Sequence, residues 1–195
     1  MPERRSALAD CLRPGIYGAA AASGPDMTIG EVTGVTIVQV AAFDAQQAAA
    51  AITQATGASA SLHRNSVAVS NATRVLWIGP GRWLVCEGEG HDLADRLAEH
   101  CKRDIAAITD LSHARTTIRI AGKAARAVLA KLCTLDFDPP AFPLETCAQT
   151  QLGQIGALLD CRAADAFDIA VYRGFAQSGW EMLTDAALEF GYQIR

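Results

Sequence analysis

Apolar and polar positions change their period several times along this chain, and each change predicts an element. In EVTGVTIVQVAAF, which begins at Glu31, Val35 and Ile37 alternate with Thr36, Val38 and Val40. β-Branched residues dominate, so the segment reads as a strand buried on both faces. Asp44 then opens a helix, with Gln47 three residues on as a capping-box partner. The helix AQQAAAAITQAT stops at Gly57, a suitable left-handed cap. Residues 58–72 read as loop or weak strand. RVLWIGPGRWLVCE predicts a hairpin, because the apolar runs Val75–Ile78 and Trp83–Cys86 flank GPGR. Pro80 followed by Gly81 suits the centre of a type II turn, with Trp77 and Trp83 near it on opposite strands. Leu93, Leu97 and Cys101 recur at i, i+4 and i+8 beside Ala94 and Ala98, which predicts a second helix. IAAITDL closes this half as a strand. The resulting β-α-β-β-α-β order is ferredoxin-like.

The remainder starts the same way. In TTIRIAG, Thr116, Ile118 and Ile120 share one strand face, while Thr117 and Arg119 point the other way. A helix from about Lys123 to Leu132 follows, with Ala125, Val128, Leu129 and Leu132 on one stripe. Pro139 and Pro140 make LDFDPPAFP a connector. CAQTQLGQIGALLDCR supplies one bent strand or two short ones around Gly153 and Gly156. FDIAVYR is a strand with Phe167, Ile169 and Val171 inward. The last helix, about Phe175 to Phe190, carries Ala176, Trp180, Leu183, Ala187 and Phe190 on one face and ends at Gly191. The expected architecture is α+β, with pseudo-duplicated ferredoxin-like halves at about 31–110 and 111–195 forming a single domain. Residues 1–30, rich in Gly, Ala and Ser without sustained periodicity, read as a flexible N-terminal arm outside the core.

Composition narrows the function classes. Of 195 residues, 50 % are hydrophobic and 19 % charged, with a net charge of −4. A charge-poor surface suits a subunit that stays attached to partners. The absence of long basic or acidic runs argues against nucleic-acid and membrane-surface partners. No stretch approaches the roughly 20 apolar residues of a membrane span. The start of the chain lacks an apolar core of signal-peptide length, so a cytoplasmic location is expected. Six cysteines are scattered (Cys11, Cys86, Cys101, Cys133, Cys147 and Cys161) with no C-x-x-C pair and no His at zinc-ligand spacing. They read as reduced thiols acting as small core residues.

DLSH, Asp110–His113, offers the residue types of a hydrolytic triad within four positions. In an extended chain Asp110 and Ser112 share a face and His113 points away, and no Gly-x-Ser-x-Gly elbow surrounds the serine. A carboxylate and a hydroxyl at a strand end more often tie down a turn. His113 is better explained as a surface or interface residue. His63 sits in a polar loop, and His91 and His100 lie nine residues apart around a short helix. GPG at 79–81 joins two strands, and neither G-x-G-x-x-G nor a Walker sequence occurs. The carboxylate pairs Asp136 with Asp138 and Asp165 with Asp168 read as solvated. No catalytic, cofactor-binding or metal residue is assigned from these patterns.

Three stretches resemble the gamma subunit of heterotetrameric sarcosine oxidase. They are WIGPGRWLV, the run TDLSHARTTIRIAGKAARAVLAKLCTLDFDPPAFPLETCAQT, and FDIAVYRGFAQSGWEMLTDAALEFG. The start, SALADCLRPGIYGAAAASG, is similar to the N-terminal arm of many bacterial members. The resemblance covers nearly the whole chain, and its most specific part is Asp110 to Thr150. Where the family commonly has D-L-H-P-R-A-F this chain has DFDPPAF, which changes the local contacts of Asp138 and Pro140. The resemblance implies a fold like the folate-binding domain of the glycine cleavage T-protein. It also implies a complex of alpha, beta, gamma and delta subunits that oxidatively demethylates sarcosine or a related N-methyl amino acid. FAD, FMN, NAD, tetrahydrofolate and zinc would be carried by other subunits. The flavin that oxidises the amine would lie in beta, nicotinamide dinucleotide and tetrahydrofolate in alpha, and zinc in delta. Gamma would hold no cofactor and would support assembly, mainly against alpha. The alternatives are a gamma subunit of a related N-methylglutamate or dimethylglycine dehydrogenase, a free-standing folate-dependent one-carbon protein, and a small hydrolase using Asp110, Ser112 and His113.

Overall fold

In a computed structural model, which describes residues 5–19, 24–90 and 92–194, the chain divides into two units. One comprises Gly34–His113 and Glu145–Ala148. The other comprises the described residues of Met1–Thr33, Ala114–Leu144 and Gln149–Arg195. In chain order the elements are β1 (Gly15–Tyr17), β2 (Met27–Val32), β3 (Val35–Ala42), α1 (Ala45–Thr56), β4 (Val67–Ser70), β5 (Thr73–Gly79) and β6 (Arg82–Gly88). There follow α2 (Leu93–His100), β7 (Ala106–Asp110), β8 (Arg115–Gly122), α3 (Ala125–Leu132), β9 (Cys147–Leu152), β10 (Ile155–Ala163), β11 (Ala166–Tyr172), α4 (Ala176–Ala187) and β12 (Tyr192–Ile194).

The unit built on Gly34–His113 follows the predicted order closely. Its sheet runs β4-β5-β6-β3-β7, a ferredoxin-like set with β4 added at one edge. Asp44 caps α1: its Oδ1 accepts the backbone N–H groups of Gln46 and Gln47, both at 3.0 Å. Gln47 Nε2 donates to Asp44 Oδ2 at 2.8 Å, so its side chain serves the capping carboxylate and not the backbone. Gly57 ends the helix at φ 73°. In the GPGR hairpin Gly81 adopts φ 64°, and Trp77 and Trp83 are direct register partners. Val38, Val40, Trp83 and Val85 from the sheet pack with Ala48 and Ile52 of α1 and Leu93 and Leu97 of α2. Burying each of the larger of these side chains contributes about 1.5–3 kcal/mol.

The second unit repeats this frame with one substitution. Its sheet runs β1-β12-β2-β8-β11-β10-β9, and α3 and α4 occupy the places of α1 and α2 in the strand–helix order. The strand β7 lies beside β3 in the first unit, and the equivalent place beside β8 belongs to β2. The chain's last strand, β12, pairs with β2 in parallel. This corrects the expectation that residues 1–30 contribute nothing to the core. Met27 and Ile29 are buried, and Leu8 is fully buried as well. MTIGEV alternates as a strand should, but Gly-, Ala- and Ser-rich neighbours mask so short a signal. Gly34, at φ 66°, separates β2 from β3, so the strand read from Glu31 is two strands. Residues 1–4 and 20–23, also assigned to the arm, lie outside the described residues.

The bend around Gly153 and the inward stripe of the last helix are met, but that helix ends at Ala187, short of the expected Phe190. The segment around Gly153 forms two strands, β9 and β10, with Gly153 at φ 59° in the turn. Ala176, Trp180, Leu183 and Ala187 of α4 are buried, and a 3₁₀ turn over Arg173–Phe175 leads into that helix. Gly122 adopts φ 133°, and a Cβ there would stand 2.1 Å from the Asp26 carbonyl oxygen, so only glycine allows this approach where β2 begins.

Candidate functional site

Asp110 and Ser112 do meet, but as a turn. Ser112 Oγ donates to Asp110 Oδ1 at 2.6 Å, and the Ser112 backbone N–H donates to the same oxygen at 2.8 Å. Ser112 Oγ also accepts the Ile37 N–H at 3.0 Å, while the Leu111 N–H donates to the Ile37 carbonyl at 2.8 Å. The hydroxyl thereby fastens the end of β7 to the start of β3, an Asx-type turn extended across two strands. The proton of Ser112 goes to the Asp110 carboxylate and its oxygen takes a backbone N–H, so the hydroxyl is held in structural hydrogen bonds. His113 is exposed.

The other expected groups are equally dispersed. His63 and His100 are exposed, and His91 lies outside the described residues. Cys101, Cys133, Cys147 and Cys161 are buried, and Cys11 and Cys86 are partly buried. Burial pushes the Cys133 thiol up to about 11 and raises that of Cys101, which makes both poor nucleophiles at neutral pH. Cys147 Sγ donates to the Trp77 carbonyl at 3.2 Å. Among the described residues no three His, Cys, Asp or Glu side chains converge to hold a metal.

The carboxylates part ways. Asp136, Asp138 and Asp165 are exposed, as expected. Asp168 is not solvated: it is buried on β11 and grips Arg119 of β8 through Nε at 2.6 Å and Nη2 at 2.7 Å. Strand register explains the pairing. Ile118 and Ile120 align with Ile169 and Phe167 on the apolar face, which sets Arg119 opposite Asp168 on the other. Asp168 also faces Asp160 of β10, and Arg162 answers that like-charge contact at 3.5 Å from Asp160 and 3.6 Å from Asp168. Hydrogen bonding to Asp168 raises the pKa of Arg119 further. The two arginines and two aspartates form a balanced ladder across the sheet. Its sequence signal was a single charge in the middle of each of two β-branched strands.

A second cluster organises the connector. Phe137 and Phe142 are buried against Phe167, with ring centroids 5.8–6.2 Å apart. Arg126 stacks over Phe167 at 5.0 Å and donates to the carbonyls of Ala164 at 2.8 Å and Phe142 at 3.2 Å, and to that of Phe137. The Asp138 carbonyl accepts the N–H groups of Ala141 and Phe142, both at 2.9 Å, so DFDPPAF is a folded turn pinned by two rings. An open groove of about 320 Å³ borders it, lined by Arg126, Leu135 and Phe137 among others. The guanidinium in that groove is already committed to carbonyls.

Comparison with known proteins bears on these arrangements. The sarcosine oxidase gamma subunit family matches residues 40–189. The sarcosine oxidase subunit gamma of Corynebacterium sp. (strain P-1) is 32 % identical over 161 residues, covering 82 % of this chain and 79 % of that protein. The subunit from Arthrobacter sp. is 30 % identical over 161 residues, with the same coverage. A chain of the heterotetrameric sarcosine oxidase from Corynebacterium sp. U-96, solved with pyrrole 2-carboxylate, superposes with a TM-score of 0.85 at 28 % identity, over 96 % of both chains. The glycine cleavage aminomethyltransferase T of Bartonella henselae superposes with a TM-score of 0.63 over 90 % of this chain and 55 % of that one. At 16 % identity that likeness concerns the fold. It agrees with the α+β, folate-binding-domain-like architecture expected from the sequence.

Proposed function

This chain belongs to the sarcosine oxidase gamma subunit family, and from that premise we propose that it is a non-catalytic subunit supporting assembly of a heterotetrameric flavoprotein that oxidatively demethylates sarcosine. The observation that carries the reading is the correspondence over 96 % of both chains with one chain of a heterotetrameric sarcosine oxidase. Two features of the molecule support it. The Ser112 hydroxyl and the Asp110 carboxylate are spent on a strand tie, and the paired charges of Arg119 and Asp168 neutralise one another. On this reading the partners are alpha, beta and delta subunits, with alpha the main contact. FAD, FMN, NAD, tetrahydrofolate and zinc belong to those chains, and the location is cytoplasmic. No described helix is long and apolar enough to cross a membrane.

Affinity purification of the chain from its native host tests the proposal. Three co-purifying chains, one of them a flavoprotein, are expected. Turnover of an amine by the purified chain alone, or flavin bound to it, overturns the proposal. A folate-dependent reading draws on the likeness to aminomethyltransferase T. Calorimetry of the isolated chain with tetrahydrofolate decides it, and micromolar binding would favour it. Assay of the purified complex on N-methylglutamate and dimethylglycine separates the related dehydrogenases.

A further inference from the structure

One end of the seven-stranded sheet gathers arginines and exposed aromatic rings. Arg115 begins β8 and is the register partner of Tyr172, which ends β11. Its guanidinium carbon lies 4.4 Å from the Tyr172 ring centroid. The Arg173 N–H donates to the Ala114 carbonyl at 2.9 Å, and Arg173 Nη2 donates to the Arg5 carbonyl at 2.6 Å. These two bonds bring three arginines to one place. The nearby carboxylates are engaged elsewhere: Asp10 takes Arg5 at 2.9 and 3.0 Å, and Glu31 takes the Ser6 hydroxyl. Among the described residues no carboxylate takes Arg115 or Arg173, and Arg115 Nε is buried with no hydrogen-bond partner. Beside these charges Tyr172 is 51 % exposed and Phe175 is 54 % exposed.

From this arrangement the geometry points to an interface: Arg115, Tyr172, Arg173 and Phe175 form a docking surface for a partner subunit that presents a carboxylate beside an apolar side chain. The inference rests on the assembly role proposed above and names the surface that performs it. Three physical arguments converge. The ring of Tyr172 holds the guanidinium by one face, leaving its in-plane N–H groups to form the paired bonds that carboxylates accept. Arginine and aromatic residues in contact are also the composition of interface hot spots, and half-exposed rings gain most from being covered. An excess of positive charge at this end of a chain whose net charge is −4 selects an acidic protein face over a neutral one.

Co-expression with the alpha, beta and delta subunits from the same host, with quantification of the complex, provides the test. Arg115→Glu and Phe175→Ser should each weaken association by about tenfold or more, with the melting temperature of the free chain held by the largely exposed Phe175→Ser variant. A photo-crosslinking residue at position 175 should capture a partner subunit, in a peptide containing Asp or Glu. Wild-type association in both variants overturns the docking surface and leaves the assembly role intact. So do crosslinks confined to this chain or to a second copy of it. If the wild-type chain fails to co-purify with the other subunits, the assembly role falls, and the docking surface falls with it.

Discussion

Replacing Arg119 with methionine should destabilise the fold more than replacing its partner Asp168 with asparagine, although both changes break the same pair. The asymmetry comes from exposure and register. The Asp168 side chain is 12 % exposed, whereas that of Arg119 is 41 % exposed. Without Arg119, Asp168 stays buried opposite Asp160, and Arg162 at 3.5–3.6 Å must serve both carboxylates. An uncompensated buried charge of this kind costs about 3–5 kcal/mol, and the lower end applies because Arg162 remains. Asp168→Asn keeps an oxygen that accepts from Arg119, and any N–H it releases can reach water. That loss is about 1–2 kcal/mol. Since the single losses share one interaction, Arg119→Met combined with Asp168→Asn should cost less than their sum by at least about 1 kcal/mol. Equilibrium urea denaturation followed by tryptophan fluorescence measures all three differences. Strict additivity, or a larger loss for Asp168→Asn, would refute the ladder as a coupled network.

Three further outcomes are expected. Trp180→Ala should cost about 3–5 kcal/mol, since the indole is 4 % exposed in the inward stripe of α4, and a melting temperature like that of the wild type would place it outside the core. Gly122→Ala should destabilise by about 1–3 kcal/mol through loss of the close approach to Asp26, read as early amide exchange in β2. The Cys133 thiol has a folded-state pKa raised from 9.0 to about 11, so the neutral form is favoured in the fold. Its contribution is complete below pH 9 and is lost as pH rises toward 11, by about 2–3 kcal/mol in all. Cys133→Ala should flatten the alkaline limb of a stability–pH profile, and an unchanged slope would contradict the assignment.

The chemistry that sequence reasoning declined to assign and the chemistry it overlooked differ in range. Asp110 and Ser112 are two residues apart, so their turn could be anticipated from strand alternation and side-chain type. The reach of Ser112 to the Ile37 N–H could not, because 75 positions separate them. In sequence Asp168 reads as solvated, like its near neighbour Asp165. Its true partner, Arg119, stands 49 residues away and is reached only through the β8–β11 register. Arg126 lies off the apolar stripe of its helix, and nothing local signals the connector that folds over it and presents the Phe137 and Phe142 carbonyls.

By itself the sequence determined whatever depends on neighbours within about ten positions: the Asp44 cap, the Gly57 stop, the GPGR turn that sets Trp77 against Trp83, and the alternating faces of β8 and β11. Only tertiary structure decided that MTIGEV enters the second unit's sheet beside β8, where the first unit uses its own last strand. A strand's apolar alternation states which face must be buried, but any edge with matching register can satisfy it. The choice between β2 and β12 for that place beside β8 is made by the combined pairing of distant segments, a quantity no local window contains.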